Sequence, residues 1–412
     1  MLAQKVDDKT NILVVGGGIA GISIAKYFSS LDPAKFDIVL VNPRPYCIFL
    51  IPALRMVVSD QDRLEDKIIL PYDKLFIRGN GKSVEGTVVK INQTPGERHG
   101  EVLLHDGETL GYDVLVLATG GRWEGPLDFP NDHKEVLPYI SQRRTEFAES
   151  QSILLVGGGP VGIGTLPHVL LRVSLLIMNL VELAGEIKDI WPDKEITVLH
   201  RRQLLLNDTY PEKFRKAIQE QVEGRGIKVI VDDSVDNVTP GVSGAPITTL
   251  KGKRLQPDLI VCAILFKRPI PLMSQQIRTW GPKPCTEFIA SSLGSGTLTP
   301  KGLVRVQPTL QLVDYPNIFA AGDIIDWKEQ KQGYKVMGHI AVIMNNVLSY
   351  ISGKPATKEY KGIMEMLLVA NGKNGGMLFM DTLWGIVIGP RIVSWLNPKT
   401  ASVSRFRREM GY

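Results

Sequence analysis

Short, largely apolar runs that end in glycine-rich turns set the pattern of this chain. Asn11–Val15 and Ser152–Val156 have strand length and little polar interruption, as expected of strands covered on both faces. The first runs into Gly16-Gly17-Gly18-Ile19-Ala20-Gly21 and the second into Gly157-Gly158-Gly159-Pro160-Val161-Gly162. Beyond the first turn the pattern predicts a helix over Gly21–Leu31 and a strand over Phe36–Val41. Further buried strands are predicted within Asp113–Gly120, Ile196–His200, Asp258–Ala263 and Asn317–Asp323. Gln330–Leu348 has a helical period, with Met337, Ile340, Ala341, Met344 and Val347 on one apolar stripe. Such a stripe is more often core than cofactor contact. Strands alternating with helices predict an α/β fold with two Rossmann-like dinucleotide-binding units.

Each turn contains G-x-G-x-x-G. The glycines allow a tight bend and a close backbone approach. The following helix offers unpaired N–H groups and a positive dipole end to a pyrophosphate. One such motif is a weak signal. Two, each directly after a buried strand, point to two nucleotides in one enzyme.

The first unit keeps the usual spacing up to the residue that meets a ribose: Asn42 lies 21 residues past Gly21. An Asp or Glu is usual there. The amide of Asn42 can still bond a ribose hydroxyl, without bringing a charge. The second unit breaks the spacing, with 38 residues from Gly162 to His200. Removing Gly164–Val181 leaves Gly-Gly-Gly-Pro-Val-Gly-Ile-Glu-Leu-Ala-Gly-Glu-Ile and restores it. Residues 164–181 are therefore expected to be an in-frame insertion, such as a translated short intron. Without them, Ala184 and Gly185 fall on the helix face that packs on the sheet. The competing account is a genuine extended helix or loop.

Composition is that of an ordinary soluble globular protein: 412 residues, 44% apolar and 22% charged. This length suits two or three domains. A net charge of +5 makes no case for nucleic acid and leaves room for a mild attraction to anionic membranes. Cys47, Cys262 and Cys285 form no C-x-x-C, which argues against a disulfide framework and a redox dithiol. The histidines show no metal-ligand spacing, so no metal is expected. The N-terminal residues lack an apolar stretch, and the longest apolar run, Leu166–Val181, is broken by His168, Arg172 and Asn179. It is too short and too polar for a membrane span.

GGGIAG, a strand ending ATG, GGGPVG…ELAGEI and a strand ending FAAGD occur in that order. The chain thereby resembles the pyridine nucleotide–disulfide oxidoreductases, of glutathione-reductase-like fold. Leu205–Phe214, Ala53-Leu54-Arg55 and Gly372–Gly376 are similar to the apoptosis-inducing-factor-like, ferroptosis-suppressor branch. The resemblance implies FAD at the first fingerprint and NADH or NADPH at the second. It implies FAD contacts from Gly16, Gly18, Gly21, Arg55, Thr119 and Gly120, with Asp323 on the ribityl or pyrophosphate portion. Gly157, Gly159 and Gly162 would hold the nicotinamide nucleotide. Glu182 matches a glutamate near the nicotinamide once the insertion is discounted, and Lys399 a C-terminal lysine near the flavin. It further implies an FAD-binding domain in two parts, 1–126 and 258–345, around an NAD(P)H-binding domain, 127–257, with a C-terminal segment, 346–412. One stretch departs from the family: Ala263–Pro269 has no glycine where a T-G-x-x-P turn is usual.

In such an enzyme the nicotinamide gives a hydride to the flavin and the electrons pass to a quinone-like acceptor; the cofactors carry the chemistry. Arg201 and Arg202 follow the strand where an acid would select NADH, and arginines there can pair with a 2′-phosphate. The tail, Phe379–Tyr412, mixes aromatics and aliphatics with Arg405, Arg407 and Arg408. It is expected either to pack on the FAD domain or to touch a membrane surface. The protein is expected to be cytoplasmic, or peripheral on a membrane such as the mitochondrial outer membrane or a lipid droplet. Competing functions are a non-catalytic flavoprotein with a signalling role, the impaired product of a faulty gene model, and a type II NADH dehydrogenase.

Overall fold

The computed structural model describes residues 9–122, 125–157, 180–236, 240–262, 283–372, 375–382, 385–396 and 399–412. Most of the proposed insertion, Gly159, Gly162 and the stretch 263–269 lie outside these residues.

Two mostly parallel sheets dominate. In the first, β1 (Thr10–Val15) is central, with β2 (Phe36–Asn42) and then β3 (Gly81–Glu85) on one side. On its other side lie β4 (Val114–Leu117) and the late-coming hairpin of β10 (Gln311–Leu312) and β11 (Tyr315–Ala320). Ile12 sits between Ile38 and Val114 in register. In the second sheet, β5 (Ser152–Val156) lies between β6 (Glu195–Leu199) and β9 (Leu259–Cys262). Strand β7 (Lys228–Ile230) extends it beyond β6, and β8 (Gly241–Val242) runs antiparallel to β9. Continuous apolar sequence is why these strands sit inside: β1, β4, β5 and β9 are buried almost throughout. In both sheets the order reverses at the central strand. A crevice therefore opens beyond the C-terminal ends of β1 and β5, where an open α/β sheet takes its ligand.

Helix α1 (Ile19–Ser29) follows the first glycine turn and packs against β2. The short helix α2 (Ala53–Val58) follows β2, and α3 (Leu180–Ile190) precedes β6. Helix α4 (Lys335–Ile351) follows β11 and packs against α1. It starts five residues later than its sequence period predicts. Its buried face is also rotated from the expected stripe: Val336, His339, Ile340, Ile343 and Val347 are inside, while Met337 and Ala341 are exposed. A third, antiparallel sheet of β12 (Met366–Ala370), β13 (Gly376–Met380) and β14 (Ile386–Ile388) is followed by α5 (Pro390–Leu396) and α6 (Lys399–Glu409).

The tail packs on the first domain. Phe406 stacks on Phe49 with ring centres 4.3 Å apart. Lys26 Nζ donates to the carbonyls of Glu409 at 2.6 Å and Arg408 at 3.1 Å. Among the described residues no helix is long and apolar enough to cross a membrane, and no cluster of side chains is suited to a metal ion.

Candidate functional site

Four strand ends converge on the first glycine turn. Gly16 N–H donates to Val41 O, Ala118 N–H to Val15 O and Ala321 N–H to Leu117 O, all at 2.8–2.9 Å. The chain turns sharply at Gly16, whose φ is +109°, and a Cβ there would lie 2.3 Å from Ala118 O. Gly21 packs as closely on the turn: its Cβ would lie 1.8 Å from Gly16 O. Gly18 and Gly120 differ, because a Cβ at either would meet nothing within 4 Å. Gly18 caps α1 without a side-chain hydrogen bond. Open space therefore adjoins Gly18 at the N-terminal end of α1, where the helix has unpaired N–H groups and the positive end of its dipole. This is a cradle for a pyrophosphate.

Cationic and acidic groups follow the neighbouring strands β2 and β11. Arg55 on α2 and Arg44 beyond β2 each hold a buried Nε without a protein partner, the kind of orphaned donor an anionic ligand satisfies. Arg44 also donates through Nη1 to Pro130 O at 2.8 Å. Asp323 follows β11. Burial pushes its carboxyl up to about 6, with Lys331 opposing and Glu329 adding to the shift. These residues fit a dinucleotide.

Asn42 has another job than the sequence suggests. Its Oδ1 accepts from Gly17 N–H at 2.9 Å and its Nδ2 donates to Arg44 O at 2.8 Å. The amide braces the glycine turn, which an Asp could do only at one end. Thr119 is likewise engaged, donating from Oγ1 to Cys285 O at 2.7 Å, while Cys285 N–H donates to Gly120 O at 3.0 Å.

The second fingerprint repeats the first as far as it is described. Gly157 has φ +114° and donates to Leu199 O at 2.9 Å, matching Gly16 and Val41. Arg202 pairs with Asp208 in its own loop. It does not stand free for a 2′-phosphate, and Arg201 also has a partner. Glu182, in the first turn of α3, is buried and accepts from Ala370 N–H at 2.9 Å. Gly185 lies against Asn371 and Gly372, so this face of α3 meets the C-terminal sheet and not the parallel sheet expected from sequence. Ala184 is fully buried. Lys399 opens α6.

Two buried polar networks escaped the sequence reading. In the first, Gly322 N–H donates to His339 Nδ1 at 3.1 Å, which leaves the imidazole proton on Nε2, 3.2 Å from Glu329 Oε1. Tyr360 OH donates to Glu329 Oε2 at 2.7 Å. Burial keeps His339 below the ordinary imidazole range despite its carboxylate neighbour. Burial also pushes Glu329 up, but the bonds from His339 and Tyr360 outweigh it and the net shift is downward. The network holds the Gly322-Asp323 turn. Its one sequence signal is a histidine on the apolar face of α4. In the second, Lys335 Nζ lies 2.6 Å from Glu365 Oε2, Tyr210 OH donates to Glu365 Oε1 at 3.1 Å, and Gln332 Nε2 donates to Tyr210 OH at 3.1 Å. It ties the loop after β6 to α4 and to the start of the third sheet. Tyr72, whose OH donates to Gly17 O at 2.9 Å from inside the core, had no local signal at all.

His200 directly follows β6 in a buried position, with Nε2 3.2 Å from Leu206 O. Burial lowers its pKa to about 4, against the pull of that carbonyl. The unfolded chain binds a proton below about 6.5. The folded chain does so only near 4, so stability falls as pH drops through this window. Between pH 7 and 5 the parent should lose about 2 kcal/mol more than His200→Gln, on the linkage slope of about 1.4 kcal/mol per pH unit. Urea unfolding at the two pH values checks this, and equal losses would refute it.

The model of the pyridine nucleotide-disulphide oxidoreductases matches residues 10–345. The chain belongs to that family. It is an FAD-dependent oxidoreductase with NAD(P)H as co-substrate, and the α/β fold with parallel-sheet dinucleotide-binding domains is the family's. An FAD-dependent oxidoreductase of Flammulina velutipes is 39% identical over 84% of this chain and 95% of its own length. Ferroptosis suppressor protein 1 of Taeniopygia guttata is 29% identical over 98% of this chain and 97% of its own. In fold, the chain is similar to the sulfide:quinone oxidoreductase of Aquifex aeolicus, with a TM-score of 0.65 at 17% identity, covering 98% of this chain and 91% of that one.

Proposed function

We propose that this protein oxidises NAD(P)H through its flavin and delivers the electrons to a quinone-like acceptor. The observation that carries the proposal is the open cradle beyond β1, where Gly18 and Gly120 leave space and the Gly322-Asp323 turn lies against Ala20 of α1. We assign the FAD pyrophosphate to Gly16–Gly18, Gly21, Gly120 and Arg55, with Asp323 toward the ribityl chain. Arg44 joins them as an anion contact. Gly157, Gly159 and Gly162 are assigned to the nicotinamide nucleotide, and Lys399 to the flavin's surroundings. Glu182 acts through its bond to Ala370, as a positioning residue.

When bound, FAD accepts a hydride and releases electrons. The chain's own part is to hold the nucleotide in place and exclude water. A chain without C-x-x-C offers no dithiol relay, which supports direct passage to a small acceptor. The relative named as a ferroptosis suppressor supports placing the enzyme in that branch. Exposed Ile386 and Ile392 in the C-terminal segment support an enzyme that meets its acceptor at a membrane surface, and we place it in the cytoplasm or peripherally on such a membrane.

The purified protein should carry flavin absorbance. NADH or NADPH added without oxygen should bleach it, and a short-chain benzoquinone should restore the colour. Persistent yellow colour with both nucleotides would favour a non-catalytic flavoprotein.

A further inference from the structure

The Gly322-Asp323 turn lies between two backbone anchors. On one side Ala321 N–H donates to Leu117 O at 2.9 Å, and on the other Val304 N–H donates to Ile324 O at 2.7 Å. Between them stands Gly322, with φ +81° and its α-carbon against Ala20 of α1. Glycine adopts either sign of φ readily, so the chain itself does not fix the peptide that sets the direction of Asp323. The constraint comes from α4, where His339 Nδ1 accepts from Gly322 N–H at 3.1 Å.

We infer that His339 is a positioning residue for the flavin: by accepting from Gly322 N–H it holds the turn in the conformation that presents Asp323 to the ribityl chain. This rests on the assignment of Asp323 made above. A backbone N–H can only donate, so Nδ1 carries a lone pair and the ring proton sits on Nε2. The surroundings enforce that tautomer. Nε2 faces Glu329 Oε1 at 3.2 Å, and the other oxygen of Glu329 accepts from Tyr360 OH at 2.7 Å. The side chains of His339 and Glu329 are 2% and 5% exposed, so little water competes for these bonds. The Tyr360 ring stands edge-on to the imidazole with centres 4.4 Å apart, and blocks a ring flip. Burial keeps His339 uncharged, with Lys331 and Lys335 acting in the same direction and Glu329 opposing them. An apolar side chain would fill the same space on α4 and leave the buried Gly322 N–H without a partner, which is costly.

The test separates the acceptor from the donor. In His339→Asn the amide oxygen falls near the place of Nδ1 and accepts from Gly322, while the contact with Glu329 is lost. In His339→Gln the amide reaches the place of Nε2 and meets Glu329, while Gly322 loses its acceptor. The full chain of each variant is freed of flavin and titrated with FAD and with ADP, which carries two phosphates but no ribityl chain. His339→Gln should bind FAD about tenfold more weakly, the order expected for a stranded N–H, and ADP within about twofold of the parent. His339→Asn should bind both within about threefold of the parent. A merely structural histidine would weaken FAD and ADP together, in the order of the variants' thermal stability. That pattern, or unchanged FAD affinity in His339→Gln, would overturn the proposal. A second measurement needs no variant. Nitrogen-15 spectra of the parent with FAD bound should show a proton on Nε2 of His339 and none on Nδ1, and the reverse would also overturn it. Asp323→Ala distinguishes this inference from the assignment beneath it. If Asp323→Ala weakens FAD and His339→Gln does not, the histidine proposal falls and the assignment of Asp323 stands. If His339→Gln weakens FAD and Asp323→Ala does not, the assignment falls, and the route through Asp323 with it.

Discussion

Gly16→Ala should yield protein with less than a tenth of the parent's flavin and a first domain destabilised by about 4 kcal/mol or more. Two costs combine. At φ +109° an L-residue is strained, and the new methyl would lie 2.3 Å from Ala118 O and 2.9 Å from the Thr119 Cα. Both neighbours are backbone, fixed by hydrogen bonds to β1 and to Cys285, so they cannot move aside cheaply. Gly18→Ala separates fold from ligand. Its φ is −85° and its surroundings are open, so the apoprotein should unfold at the parent's temperature while FAD binds at least tenfold more weakly. Flavin titration and thermal unfolding of the two variants decide the matter. If Gly18→Ala binds FAD as tightly as the parent, the phosphates do not lie where the cradle places them.

Lys335→Met should cost about 3–5 kcal/mol near neutral pH, because it strands the Glu365 carboxylate in the interior. Lys335 is only 2% exposed and Glu365 14%. Burial already pushes Glu365 above its ordinary pKa, with Lys335 as the chief opposing influence. In the variant that opposition is gone, and Glu365 takes up a proton more readily. The cost should therefore shrink as pH falls toward 5. Adding Glu365→Leu should recover most of the stability, as replacement of whole buried pairs often does. Urea unfolding of the single and double variants at two pH values checks this. A double variant as unstable as Lys335→Met would mean that the loop holding Tyr210, and not the ion pair, carries the effect.

Much of the fold was legible because it rests on local rules. Continuous apolar runs marked the central strands of both parallel sheets to within three residues, while the short edge strands Gly81–Glu85, Lys228–Ile230, Gly241–Val242 and Gln311–Leu312 carried no such run. Glycine spacing marked the turns whose geometry now explains it: Gly16 and Gly21 cannot carry a side chain, and Gly18 must not. What could not be read depends on partners distant in sequence. Asn42 looked like a weak ribose ligand, because nothing local shows that Gly17 and Arg44 take up its amide. Arg202 looked available because its competitor, Asp208, sits in a loop whose course no periodicity fixes. The face of α4 was displaced because alanine and methionine count as apolar in a pattern, whereas the helix buries His339 and Asn346, which do not. Glu182 was singled out as a glutamate near the nicotinamide, and nothing local announced its bond to Ala370, which joins residues 188 apart.

Strand β4 ends at Leu117, and its neighbour on the outer side, β11, begins at Tyr315. During synthesis the ribosome must therefore release the entire second sheet before that edge of the first is covered. Until then a hydrophobic strand presents unpaired N–H and C=O groups to any passing chain. Asp323 emerges later still, so a nascent chain can complete its cradle only after about four-fifths of it has been made, and cofactor loading becomes a late checkpoint on the whole polypeptide.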